Sequence, residues 1–177
     1  TVMAYPTVSA PYGLKPVNLI GGQVFAGATR QIPVASGYNT SMFNGDVVKK
    51  NNAGVLIKEA GTTTANPVGV FLGCSYTDPV LKYQIYSQYF PANTVASDIV
   101  AYVSDDPDQL YKVALVSGTT VVATLARTAV GTNVALVQNA GDANTGNSAV
   151  AALTGSSATT ISLPLRIIDV VPETATA

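Results

Sequence analysis

Ile99-Val100-Ala101-Tyr102-Val103-Ser104-Asp105-Asp106-Pro107-Asp108-Gln109-Leu110-Tyr111-Lys112-Val113-Ala114-Leu115 reads as strand, sharp acidic turn, strand. β-Branched and aromatic residues fill both flanks, and Asp106-Pro107 marks the reversal. Pro107 fixes its own φ and pushes Asp106 toward an extended shape, so neither strand runs through the turn. A hairpin is the expectation. The rest of the chain repeats the texture, with short apolar runs between Gly, Asn, Asp and Pro.

Working back toward the N-terminus, Leu81 to Tyr89 carries tyrosines at 83, 86 and 89. The run is short and aromatic, which favours strand over helix. Pro67-Val68-Gly69-Val70-Phe71-Leu72-Gly73-Cys74-Ser75-Tyr76 is the most strand-like segment of the first half. Gly69 and Gly73 inside it predict a bulge or a close backbone approach. Val55 to Lys58 is a further strand candidate, and Asn44-Gly45 is a turn that launches a strand at Val47-Val48. Gln23 to Gly27 and Thr29 to Val34 are expected to pair around Gly27-Ala28. Pro6, Pro11 and Pro16 break up the first sixteen residues, where Tyr5, Tyr12 and Leu14 are apolar anchors. A frayed terminus or an extended arm fits these residues, and the arm is favoured because tyrosine gives contact area at low entropy cost.

Toward the C-terminus, residues 121–125 and 134–137 read as strands and 141–147 as a loop. Residues 148–153 fit either a brief strand or a helical turn. Residues 161–171 read as a final strand with Pro164 at an edge or bulge, and Arg166 points to solvent or into an interface. Strand candidates recur at the spacing of a sandwich or barrel. The expected fold is all-β, an antiparallel β-barrel or sandwich with long loops. Residues 1–16 form the arm and 17–177 a single β-rich domain, with a smaller subdomain after about residue 116 as an option.

Composition narrows the chemistry. The chain has 177 residues and is 47% hydrophobic, enough for a real core. Only 11% are charged, against roughly 25% in ordinary soluble domains. That depletion matches the composition of interface centres and predicts surface buried against neighbours. Net charge is −1 with nine Lys and Arg, which argues against a nucleic-acid partner and against electrostatic membrane binding. Histidine is absent, so a conventional triad is impossible and the commonest transition-metal ligand is missing. One cysteine, Cys74, allows no internal disulfide and reads as a buried small hydrophobe. Asp105, Asp106 and Asp108, with Asp98 nearby, are the best acidic cluster, but no closing Glu completes a cation site and Asp is itself a turn residue. No apolar stretch approaches membrane-helix length, and no basic patch followed by an apolar run marks a signal peptide. The expectation is a non-enzymatic chain without cofactor or metal.

In order, the blocks Tyr12-Gly13-Leu14-Lys15-Pro16-Val17, Phe43-Asn44-Gly45-Asp46-Val47-Val48, the 68–76 run, Ala101-Tyr102-Val103-Ser104-Asp105-Asp106-Pro107, Gly131-Thr132-Asn133, Thr145-Gly146-Asn147-Ser148 and Leu163-Pro164-Leu165-Arg166-Ile167-Ile168 resemble small structural proteins of tailed bacteriophages, marine and cyanobacterial phages in particular. The resemblance runs over nearly the whole chain. It implies a virion structural protein of the capsid cement or decoration type. Such a protein binds the outside of the head, clamps major capsid protein subunits and is often a homotrimer. It would be assembled in the bacterial host cytoplasm, with Tyr5, Tyr12 and Leu14 as arm contacts. The resemblance also leaves open a tail, collar or head-fibre component. A different class is a host-glycan-binding module stacking sugars on Tyr83, Tyr86 and Tyr89.

Overall fold

The computed structural model of the chain describes residues 11–172. Its strands are β1 (Lys15–Leu19), β2 (Arg30–Pro33), β3 (Val47–Lys50), β4 (Leu56–Lys58), β5 (Gly69–Thr77), β6 (Gln84–Ser87) and β7 (Val100–Ser104). They continue with β8 (Gln109–Lys112), β9 (Leu115–Val116), β10 (Asn133–Val134), β11 (Leu136–Val137), β12 (Ala151–Leu153) and β13 (Leu165–Arg166). Two 3-10 turns, Arg127–Ala129 and Thr154–Ser156, interrupt the strands, and there is no α-helix among the described residues. The protein is all-β.

Six strands make the main sheet, in the order β2-β7-β5-β3-β4, with β6 paired to the far half of β5. All pairs within it are antiparallel. The sheet curls until its two edges meet at one parallel bridge, Val34 against Leu56. Strand alternation then puts one set of side chains inside the roll. Ile32, Val48, Leu56, Phe71, Cys74, Tyr76, Ala101 and Val103 come from five strands and join Val34, Met42, Phe90 and Ile99 in one buried cluster.

Strand β5 carries the irregularity that its glycines predict. Phe71 opposes Val103 while Gly73 opposes Tyr102, so the register shifts between them. This bulge lets Phe71, Cys74 and Tyr76 all face inward despite their uneven spacing. At Gly69 a Cβ would collide with the carbonyl oxygen of Ser104, so only glycine lets the two strands close.

The other face of β3 and β5 is covered as well. Val47 and Val70 pack with Leu14, Leu136 and Val150 in a second cluster, bordered by Leu72, Tyr111, Val113 and Leu165. Residues from both sides of position 116 share it, so the C-terminal part is built onto the outside of the sheet. That part holds small sheets: β11-β12-β9, with β12 parallel to β9, and β10-β13.

Several expected pairings are replaced by others. Both strands of the 99–115 stretch form, and the turn is held by Gln109 N–H on Asp106 O and Asp108 N–H on Asp106 Oδ1. They do not pair with each other. The two edges of β7 are occupied by β2 and β5, so β8 leaves the sheet and pairs with β1. The stretch is a corner, pinned by the Tyr111 hydroxyl on the Ser104 backbone oxygen and Oγ. The expected 23–34 hairpin is likewise absent: Leu19 N–H bonds Gln23 O across Gly21-Gly22, and β2 pairs with β7 instead. In 121–125 the sole ladder contact is the Val116–Val122 bridge, and in 161–171 only Leu165–Arg166 is strand. Residues 148–153 resolve as a strand, β12, entering a 3-10 turn.

The arm boundary also moves. Tyr5 lies outside the described residues. Residues 11–16, assigned to the arm, belong to the folded body: Gly13 N–H bonds Val150 O, Leu14 N–H bonds Gly45 O, and β1 starts at Lys15. Gly13 and Gly45 cross back to back with φ of 77° and 100°. A Cβ on either would press on the other's backbone at about 3.0 Å, which is why both positions are glycine.

Candidate interaction surfaces

The densest polar constellation is interior. Turn 43–46 closes with Asp46 N–H on Phe43 O, and the turn drives the Asp46 side chain into the protein. There its carboxylate is fully buried. It accepts from Phe43 N–H at 2.9 Å and from Ser148 Oγ at 2.6 Å, and pairs with Lys58 Nζ at 2.8 Å. Lys58 also lies 5.9 Å from the centre of the Phe43 ring, which is stacked on Tyr89. Three distant stretches meet on one charge, with every carboxylate oxygen satisfied. Beside it, Lys15 Nζ donates to Asn44 Oδ1 at 2.6 Å and Asn147 Oδ1 at 3.2 Å, and burial holds its pKa below the ordinary lysine value. Neither group opens onto a cleft, so the arrangement works as a fastener.

A second fastener is Glu59. Burial alone would raise its pKa, but N–H groups of Gly61 and Asn66 and the Lys49 ammonium outweigh that and lower it. The Gly61 and Asn66 bonds tie loop 60–66 to the end of β4, and the Lys49 pair ties it to β3. Cys74 is buried in the roll, and desolvation pushes its thiol up to about 12, so it stays protonated and unreactive.

The acidic residues near the corner do not converge. Asp105 pairs with Arg30 at 2.7 Å, Asp106 caps its own turn, and Asp98 accepts from Thr77 N–H and Oγ1. Among the described residues no cluster of three or more metal-ligating side chains forms. No helix among the described residues is long and apolar enough to cross a membrane.

Of the sequence-assigned contact residues, Tyr12 is half-buried, and burial raises its phenol pKa. Leu14 is a correction. It turns inward after Gly13 into the second core cluster, so its side chain is not available to a partner. Arg166 is exposed on β13.

The surface that sequence reading missed is aliphatic. Val80 and Leu81 form the tip of the β5–β6 loop, 82% and 61% exposed. The tip is rigid: Asp78 Oδ1 accepts from Val80 and Leu81 N–H, and Asp78 N–H closes on Tyr83 O. Those bonds lower the Asp78 pKa, with Leu81 N–H the larger cause. Lys82 takes a φ of 58° to complete the tip. Beside it lies a shallow depression of about 380 Å³ lined by Thr77, Pro79, Ala96 and Asp98. Val95, Val24 and Ile161 are also largely exposed. An apolar pair directly after Asp78-Pro79, inside a turn signal, was the available clue.

Comparisons of the chain with protein-family models, with curated proteins and with solved structures returned no match in any of the three.

Proposed function

We propose that the chain is a non-enzymatic structural component of a tailed-phage particle, binding the outside of the capsid and cementing major capsid protein subunits, as a homotrimer. The observation that carries this reading is the pairing of low charge with rigidly held aliphatic side chains on the surface. Val80 and Leu81 in particular stand out on a loop whose backbone is locked by Asp78. Locking matters because a preformed contact loses little entropy on docking. The resemblance of the ordered sequence blocks to phage structural proteins supplies the particle. Binding that engages the assembled shell stabilises it by mass action.

The test uses phage particles purified without this chain. Added back, the chain is expected to bind them and raise their heat resistance. The double variant Val80→Asp, Leu81→Asp is expected to lose binding at least about tenfold while unfolding at an unchanged denaturant midpoint, since both side chains are solvated in the free protein. No binding of the unaltered chain to the head would overturn the reading.

A further inference from the structure

Asn44-Gly45 occurs as a pair once in the chain. In an open chain this pair attacks itself. The nitrogen after an asparagine can reach the side-chain carboxamide, and glycine there leaves the approach unhindered. The Gly45 nitrogen bonds to Asn44 Cγ, the Cγ–Nδ2 bond breaks, and the Gly45 N–H proton passes through solvent to the departing ammonia. Water then opens the five-membered imide at either carbonyl. One opening gives aspartate. The other gives isoaspartate, in which the backbone runs through the former side chain and is one carbon longer.

The fold occupies every polar group that this reaction needs. Gly45 N–H, the nucleophile, donates to Phe71 O at 2.8 Å. The carboxamide is held at both ends, by Lys15 Nζ on Oδ1 at 2.6 Å and by Leu72 O accepting from Nδ2 at 2.8 Å. The rest of the backbone is fixed too: Asn44 N–H on Gly146 O, Ser148 N–H on Asn44 O and Leu14 N–H on Gly45 O. These partners lie in three distant stretches, at 14–15, 71–72 and 146–148. The pair is restrained only when all three are in place.

The same crossing has no room for the longer product. A Cβ on Gly45 would already stand 3.0 Å from Leu14 N and 3.1 Å from Gly13 Cα. Turn 43–46 closes across the pair, with Asp46 N–H on Phe43 O and Phe43 N–H on Asp46 Oδ2. An extra backbone carbon between them moves Asp46 out of its buried site.

We propose that Asn44-Gly45 is a self-modification site gated by folding: silent in the closed protein, it converts when turn 43–46 opens, and the isoaspartate product cannot refold. Opening that would otherwise be reversible becomes permanent. The gate does not rest on the cementing role.

The test incubates the purified full chain at mildly alkaline pH, with and without urea at an unfolding concentration, and follows each asparagine by peptide mapping. Asn52 and Asn144, exposed in the folded chain, are internal references. In urea, Asn44 is expected to convert before both. In the folded chain it is expected to convert at least about a hundredfold more slowly than in urea, because only opened molecules react, and to fall behind Asn52. The urea sample is then diluted, and refolded and unrefolded chains are separated by size and mapped. Isoaspartate at 44 is expected only in the unrefolded fraction, while aspartate, with an unchanged backbone, is expected in both. Equal Asn44 rates with and without urea would overturn the gate. Isoaspartate at 44 in the refolded fraction would overturn the trap.

Discussion

Replacing Asp46 by alanine removes the charge on which residues 43, 58 and 148 converge. Three donors lose their acceptor together: Phe43 N–H, Ser148 Oγ and Lys58 Nζ. Hydrogen bonds to a charged group contribute about 1.5–3 kcal/mol each, so simple addition gives an upper bound of roughly 4.5–9 kcal/mol. Addition overshoots, because the Lys58 side chain keeps 16% of its surface and can recover some water. Breaking a buried pair by deleting one partner costs about 3–5 kcal/mol, and a value near 4 is expected here. Domains of this kind are stable by only about 5–15 kcal/mol. With a urea slope of roughly 2 kcal/mol per molar, the midpoint should fall by about 2 M. Unfolding can be followed by tyrosine fluorescence, since the chain has nine tyrosines and no tryptophan. The double variant Asp46→Ala, Lys58→Met should lose much less than the two single changes summed, because it leaves no ammonium stranded. A loss under about 1 kcal/mol for Asp46→Ala, or strict additivity in the pair, would refute the claim that one buried charge joins these stretches.

Two further outcomes follow from the fold. The folded-state pKa of Glu59 is lowered, so its contribution is complete above the ordinary glutamate value and lost as pH falls through the folded value; the urea midpoint should drop between roughly pH 5 and pH 3, less steeply in Glu59→Gln, and identical slopes would remove Glu59 as the cause. Gly69→Ala should cost about 1–3 kcal/mol or prevent folding, because the new methyl meets the Ser104 carbonyl, whereas Gly118→Ala, with open space around it, should stay within about 0.5 kcal/mol; equal midpoints would contradict the close strand approach.

What the sequence made legible was local. Asn44-Gly45 announced its turn because few pairs tolerate positive φ, and Gly69 and Gly73 announced tight backbone because nothing else explains glycine in an apolar strand. The burial of Cys74 followed from its neighbours. Pairing was not legible. Whether β8 folds back on β7 depends on β2 and β5 already holding both β7 edges, which is a property of the assembled sheet. Asp46 and Ser148 lie 102 residues apart, so no spacing rule connects them. Leu14 looked like an arm residue because prolines surround it; the left-handed Gly13 that turns it inward shows only in three dimensions. Low charge pointed to surface buried against neighbours, but gave no sign that Val80 and Leu81 would stand exposed.

Location on the particle decides the proposed role most directly. An averaged electron cryomicroscopy map of the intact phage, with this chain fitted, should place it in trimeric knobs over the capsid lattice, with Val80 and Leu81 against capsid subunits. Density confined to the tail or the portal vertex would contradict cementing and assign the chain to the tail or collar.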